Sequence, residues 1–242
     1  MACGITTGGG AGFSVQAQFD VQPGPRNPSI AIPSQTHLFV RAFMNPGIPE
    51  PGSGRFAQRL ALVVLRVMGW RVEGAGPAIP KYVLIGAPHT SNWDFVLALL
   101  ARWALSIRFR WIGKDSLFRW PFGGFMRWLG GIPVNRRAPN NFIDQMADQI
   151  HASRELVVVI TPEGTRSRTE HWRSGFYYLA LRAGIPIALG YVDYARKILG
   201  IGPVLMPTGN IEADMVPIRE FYADKVGLYP HKKGEVRINP RA

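Results

Sequence analysis

The chain has 242 residues, room for one large domain or for one domain and an extension. Hydrophobic residues make up 47%, enough for a sizeable core, and 28 Lys and Arg against 16 Asp and Glu leave a net charge of +12 that favours anionic partners: phosphorylated substrates, an acidic membrane surface or nucleic acid. The single cysteine, Cys3, excludes an internal disulfide, and no uninterrupted run of about 18 apolar residues marks a membrane-spanning helix.

Residues 1–53 are rich in Gly, Pro, Ser and Thr and lack any helical or strand period, so they read as a poorly ordered extension. They do not have the basic start and apolar core of a signal peptide. A main domain is predicted over 54–230, with a basic tail over 231–242. From Phe56, FAQRLALVVLRVMGW reads as a helix interrupted by Arg59 and Arg66, fit to cover a core or lie on a membrane. Strands are then predicted at 81–86, 108–113, 156–161 and 185–192, with a hairpin partner near 196–206. Helices are predicted at 92–106, 116–129, 140–153, 174–183 and 210–226. Gly184, just past Ala183, is a suitable helix stop. Alternating strands and helices predict an α/β fold: a mixed, mostly parallel central sheet flanked by helices. ILGIGPVL supplies its antiparallel addition.

Two polar knots follow predicted strands. The first is PHTSNWDF, residues 88–95, after KYVLIGA. In one reading it only starts a helix: Ser91 and Asp94 have capping-box spacing, Ser91 or Asn92 caps, and Asp94 sits at the positive end of the helix. In the other it does chemistry. Residues five apart on a continuous helix diverge, so His89 pairs with Asp94 only from the preceding turn. Pro88 favours such a turn by biasing Ala87 toward extended backbone. Asp94 would then fix the imidazole tautomer and leave the other ring nitrogen as a general base. The carboxyl end of a strand is where open α/β sheets build sites. The knot alone leaves both readings open.

The second knot is TPEGTRS, residues 161–167. Gly164 permits a tight turn, and Arg166 offers a planar fork for phosphate. The alternative is a loop with a solvated ion pair. Between the knots, residues 113–137 interleave Phe, Trp, Leu, Lys and Arg, a composition suited to a membrane interface or to a helix with a buried aromatic face. Arg136 and Arg137 are a candidate phosphate clamp or a solvated pair.

Four blocks occur in order: His89-x-x-x-x-Asp94, GGIPVNR, PEGTRS and GIPIALGYV. Together they resemble the glycerophospholipid acyltransferase family, the lysophosphatidic acid acyltransferase-like group, over roughly residues 55–225. The resemblance implies that His89 is the general base and Asp94 its orienter. It implies transfer of a fatty acyl group from acyl-CoA or acyl carrier protein to a hydroxyl of a lysophospholipid such as 1-acyl-glycerol-3-phosphate, without an acyl-enzyme. Glu163, Gly164 and Arg166 match the family's acceptor-binding block, and Arg136 matches the arginine ending the second block. Lys114 matches a lysine that supports the oxyanion or a phosphate. Ser91, Asn92, Pro162, Thr165 and Pro186 are the remaining motif positions. Trp172-Arg173-Ser174-Gly175 resembles a Phe-Lys-x-Gly segment. Leu189 stands where the fourth block usually has a second proline, and GGIPVNR departs from the more usual aromatic or aspartate-containing form. These departures bear on the acceptor more than on the chemistry.

No cofactor or metal is expected: no His-Glu-x-x-His occurs, and a lone cysteine builds no zinc site. No Gly-x-Ser-x-Gly elbow suggests a hydrolase, although Ser91 is a nominal nucleophile. Expected partners are the acyl donor, the lipid acceptor and an anionic membrane surface, not nucleic acid. The expected location is the cytoplasmic face of a membrane, peripheral or monotopic. The competing class is a non-catalytic peripheral lipid- or anion-binding protein with the same fold.

Overall fold

A computed structural model of the chain describes residues 54–134 and 142–238. The elements, in order, are α1 (Arg55–Val67), β1 (Arg71–Glu73), β2 (Lys81–Ala87), α2 (Trp93–Ala104), β3 (Phe109–Lys114), a 3-10 turn (Asp115–Phe118), α3 (Gly123–Trp128) and β4 (Gly131–Val134). Then come α4 (Phe142–Ala152), β5 (Leu156–Ile160), α5 (Gly175–Ala183), β6 (Ile187–Asp193), β7 (Ile198–Leu205), α6 (Ile211–Ala223) and a second 3-10 turn (Pro230–Lys232).

The strands form one seven-stranded sheet in the order β1-β7-β6-β2-β5-β3-β4. Among the described residues, its only antiparallel pair is β6 with β7. The strands from β6 across to β4 therefore end at one sheet edge, and both polar knots leave from that edge. β2 is central, which is why KYVLIGA is almost continuously apolar: a strand covered on both faces has no solvent side to alternate with.

Tyr82, Leu84, Ile107, Phe109, Val157, Ala188 and Ile201 pack together, with Ala98 and Leu105 of the α2 region against them. Ala61 and Leu65 of α1 meet Leu97 and Ala104 of α2, with Trp70 and Leu199. Fully burying one such side chain contributes on the order of 1.5–3 kcal/mol before entropy is counted. α5 packs on α4 and against β2. It ends at Gly184, whose φ of +64° is the left-handed stop predicted from sequence.

Three elements differ from expectation. The helix expected over 116–129 is a 3-10 turn and the short α3, separated by a cis Trp120–Pro121 bond. Pro121 has no amide to donate and disfavours helical backbone at Trp120, so the aromatic periodicity does not extend into one helix. The first helix stops at Val67, and the chain turns at Gly69, with φ +79°, into β1. That edge strand is three residues long, too short to show alternation. The last long helix ends at Ala223 instead of 226.

The chain beyond α6 folds back over the domain. Lys233 Nζ donates to the carbonyls of Tyr222 at 2.6 Å and Lys225 at 2.7 Å, satisfying the end of α6. Trp172 N–H donates to Arg237 O at 2.7 Å, and Trp172 pairs with Ile238.

Candidate active site

The first knot begins with a cis Ala87–Pro88 bond at the end of β2. α2 starts at Trp93, which leaves His89 in the turn and places Asp94 in the first helical turn. His89 Nδ1 lies 3.2 Å from Asp94 Oδ2. The side chains of His89 and Asp94 are 21% and 7% exposed, so the ring is reachable from solvent while its partner is buried. With Nδ1 turned to the carboxylate, Nε2 points away from the pair.

One side chain both supports the helix start and meets the His89 ring. Asp94 Oδ2 accepts the backbone N–H of Thr90 at 2.7 Å and of Ser91 at 2.8 Å, the reach-back expected of a helix-start carboxylate. The same oxygen meets His89, and Oδ1 accepts Tyr194 Oη–H at 2.7 Å. Burial acts to raise the Asp94 pKa, but the bonds from His89, Tyr194 and Ser91 outweigh it and hold the carboxyl below its usual value. Asn92 precedes the helix without capping it, and Ser91 Oγ accepts Trp93 N–H at 3.1 Å.

The second knot leaves β5, the parallel neighbour of β2. Gly164 closes its turn, N–H to Thr161 O at 3.0 Å, with φ +65°. A Cβ there would lie 2.7 Å from Arg173 Nε, so both backbone angle and space favour glycine. Glu163 is 3% exposed and turns inward, where its Oε2 accepts His89 N–H at 2.6 Å. Burial pushes its pKa up to about 7, against the opposing pull of the His89 amide, the His89 ring and Lys233. Arg166 Nη1 donates to Asn92 Oδ1, joining the two knots at the surface. Pro162 O accepts Arg173 N–H at 2.8 Å, and Thr165 Oγ1 accepts Ser167 N–H at 3.2 Å.

Other predicted positions lie farther off. Lys114, the exposed last residue of β3, stands at the same sheet edge, with β5 between its strand and β2. Pro186 opens β6 at the opposite edge, its carbonyl accepting Val83 N–H at 3.0 Å, so it shapes the sheet and not the knot. Leu189 is fully buried beside Ile85. Arg136 and Arg137 lie outside the described residues.

Tyr194 had not been singled out from sequence. Its signal was its place, directly after β6, the other parallel neighbour of β2. Among the described residues, no group of three His, Cys, Asp or Glu side chains is placed to hold a metal ion. An apolar cavity of about 70 Å³ lies between the sheet and the latter half of α2, lined by Leu84, Ala98, Ala101, Leu105, Phe109 and Ile201 among others. It is well short of the roughly 300–1,000 Å³ of a ligand pocket.

Residues 71–188 match the family model described as Acyltransferase. That span contains both knots and ends within β6. No curated protein sequence matches the chain significantly. A solved structure, the 1-acyl-sn-glycerophosphate (LPA) acyltransferase of Thermotoga maritima, aligns over 80% of this chain and 90% of its own, at 15% identity and a TM-score of 0.49.

Proposed function

We propose that the chain is an acyltransferase of the glycerophospholipid acyltransferase family, a reading supported by the match of residues 71–188 to the Acyltransferase model, and that it moves a fatty acyl group from an acyl thioester to a hydroxyl of a lysophospholipid, with His89 as general base. The observation that carries this reading is the His89–Asp94 pair, a reachable imidazole on a buried carboxylate held by two backbone amides. His89 Nε2 takes the proton of the acceptor hydroxyl. The oxygen attacks the thioester carbonyl, and the tetrahedral intermediate collapses with loss of the thiolate, which takes the proton back from the imidazolium. An ester and a free thiol result, and the enzyme is unchanged. Lys114 and Arg166 are the cations proposed to meet the oxyanion or the acceptor phosphate.

Glu163 has a different part in this reading. Its inward carboxylate accepts the His89 backbone N–H, and in this reading it holds the knot instead of gripping the acceptor. Docking on an anionic leaflet is proposed through two exposed apolar surfaces. On α1, Phe56, Leu60, Val63 and Val67 form an outward stripe, with Arg59 and Arg66 on the same helix. Around α3, Trp120 is 93% exposed, and Phe122 and Phe125 are exposed beside it. No helix of the described residues is long and apolar enough to cross a membrane.

The test is a transfer assay with labelled long-chain acyl-CoA, offering lysophosphatidic acid and a lipid-extract panel as acceptors. Wild type is expected to make a new acylated lipid that His89→Ala does not. No product from any acceptor, with acyl-CoA and then with acyl carrier protein, would replace this reading with a non-catalytic lipid- or anion-binding protein.

A further inference from the structure

We propose that Tyr194 is a positioning residue for this transfer: its hydroxyl holds the outer oxygen of Asp94 and so fixes the carboxylate plane against His89. The inference rests on the reading of His89 as the base. Tyr194 is 100 positions from Asp94 in sequence, and the sheet brings them together. β6 runs parallel to β2, with Tyr191 opposite Ala87, so the residues after β6 emerge beside the first knot. The Tyr194 backbone N–H donates to Val226 O at 2.9 Å. Its ring meets Trp70 edge-on, 5.0 Å between centroids, and Trp70 is itself buried. The phenol is thus held in place from its backbone and from its ring.

The two oxygens of Asp94 have unequal company. Among the described residues, Oδ2 receives Thr90 N–H, Ser91 N–H and His89 Nδ1, whereas Oδ1 receives Tyr194 alone. The terminal torsion of an aspartate is soft, so a grip on one oxygen leaves the plane free to rock. The grip on Oδ1 removes that freedom. Without it, a buried acceptor is left without its partner, which is costly and drives rearrangement. The phenol also draws electron density from the carboxylate. Losing it makes Asp94 more basic and tightens the charged His89–Asp94 pair, which moves the acid limb of kcat/KM to higher pH.

The experiment uses the full chain in the acyl-transfer assay and compares wild type, His89→Ala, Tyr194→Phe, and protein carrying mono- or difluorotyrosine at position 194. Tyr194→Phe keeps the ring against Trp70. It is expected to lower kcat by about 10- to 100-fold through misplacement of the base, with KM close to wild type, and to move the acid limb of kcat/KM to higher pH. The fluorinated phenols are stronger donors and are expected to move that limb to lower pH, in step with their acidity. They preserve shape, so they decide the matter if Tyr194→Phe does not fold. A Tyr194→Phe enzyme with wild-type kcat and acid limb would overturn the inference. A fall in kcat with a stationary limb across all variants would assign Tyr194 a packing role and also overturn it. Failure of wild type to transfer acyl groups, or full activity in His89→Ala, would sink the underlying reading instead. That result is distinguishable, because it appears before Tyr194 is touched.

Discussion

Two carboxylates reach the same histidine, one from the start of α2 and one from the turn after β5, and the fold treats them in opposite ways. Asp94 meets the His89 ring, is held by two backbone amides and a phenol, and stays below its usual pKa. Glu163 meets the His89 backbone amide, and burial raises its pKa to about 7. The difference lies in donors. Burial penalises both charges, but several hydrogen bonds compensate Asp94, while among the described residues Glu163 has the single amide. Asp94 is thereby suited to stay ionised beside an imidazolium. Glu163 is suited to hold the chain, which needs only an acceptor oxygen and not a charge.

Removing what both carboxylates serve gives the largest effect. His89→Ala is expected to lower kcat by about 10²–10⁴-fold, the usual contribution of a positioned base, with a circular dichroism spectrum like wild type. Ser91→Ala in the same assay is expected to retain most activity, because among the described residues Ser91 Oγ bonds Trp93 N–H and not His89. Equal losses in the two variants would point to a serine nucleophile.

Asp94→Asn comes next, with a kcat loss of about 100-fold. An amide offers one acceptor oxygen, yet Thr90 N–H, Ser91 N–H, His89 and Tyr194 all address the Asp94 carboxylate as donors. The variant must also be less stable than wild type, because the helix start loses part of its support. A kinetic loss without any stability loss would separate the two jobs that the structure gives to one side chain.

The two carboxylates also differ in how legible they were. His89 and Asp94 could be read because both lie within one short stretch, and helical geometry alone restricts how they pair. The strand–helix alternation was equally plain, since a central parallel strand such as β2 is apolar throughout. Tyr194 was not legible: its partner is 100 residues away, and only the sheet order places it. The inward turn of Glu163 was hidden for a related reason. A charged residue beside Gly164 and Arg166 resembles a ligand-facing loop, and its partner is a backbone amide, which carries no mark in sequence. The aromatic stretch around Pro121 misleads locally, because its helical periodicity runs through a proline that breaks the helix.

Glu163 variants sharpen the comparison at a smaller scale. Glu163→Gln keeps an acceptor oxygen of nearly the same reach and is expected to retain most of kcat. Glu163→Ala leaves the His89 amide without its acceptor and is expected to lose about 10-fold or more, as loss of a buried hydrogen bond costs on the order of 1–3 kcal/mol. Steady-state kinetics separates this from an acceptor-binding role. Had Glu163 gripped the acceptor through its charge, Glu163→Gln would raise KM sharply, with kcat little changed.

Outside catalysis, the contrast extends to the dependence of stability on pH, where the two carboxylates carry opposite signs. For Asp94 the folded-state pKa is lowered from 3.8, so its contribution is present above that value and lost as pH falls through the folded pKa. For Glu163 it is raised from 4.5 to about 7, so the folded state binds the extra proton between those values. Stability from this group is therefore full below about pH 4.5, declines as pH rises to about 7, and stays flat beyond. The whole decline is on the order of 3 kcal/mol, the product of the shift and about 1.4 kcal/mol per unit. Urea unfolding of wild type and Glu163→Gln at a series of pH values isolates it, since other titrating groups cancel in the difference. Glu163→Gln should gain on wild type from pH 4.5 to 7 and hold that gain above. A difference that does not change with pH would mean that Glu163 ionises as freely folded as unfolded, and the contrast with Asp94 would then reduce to which atom of His89 each one touches.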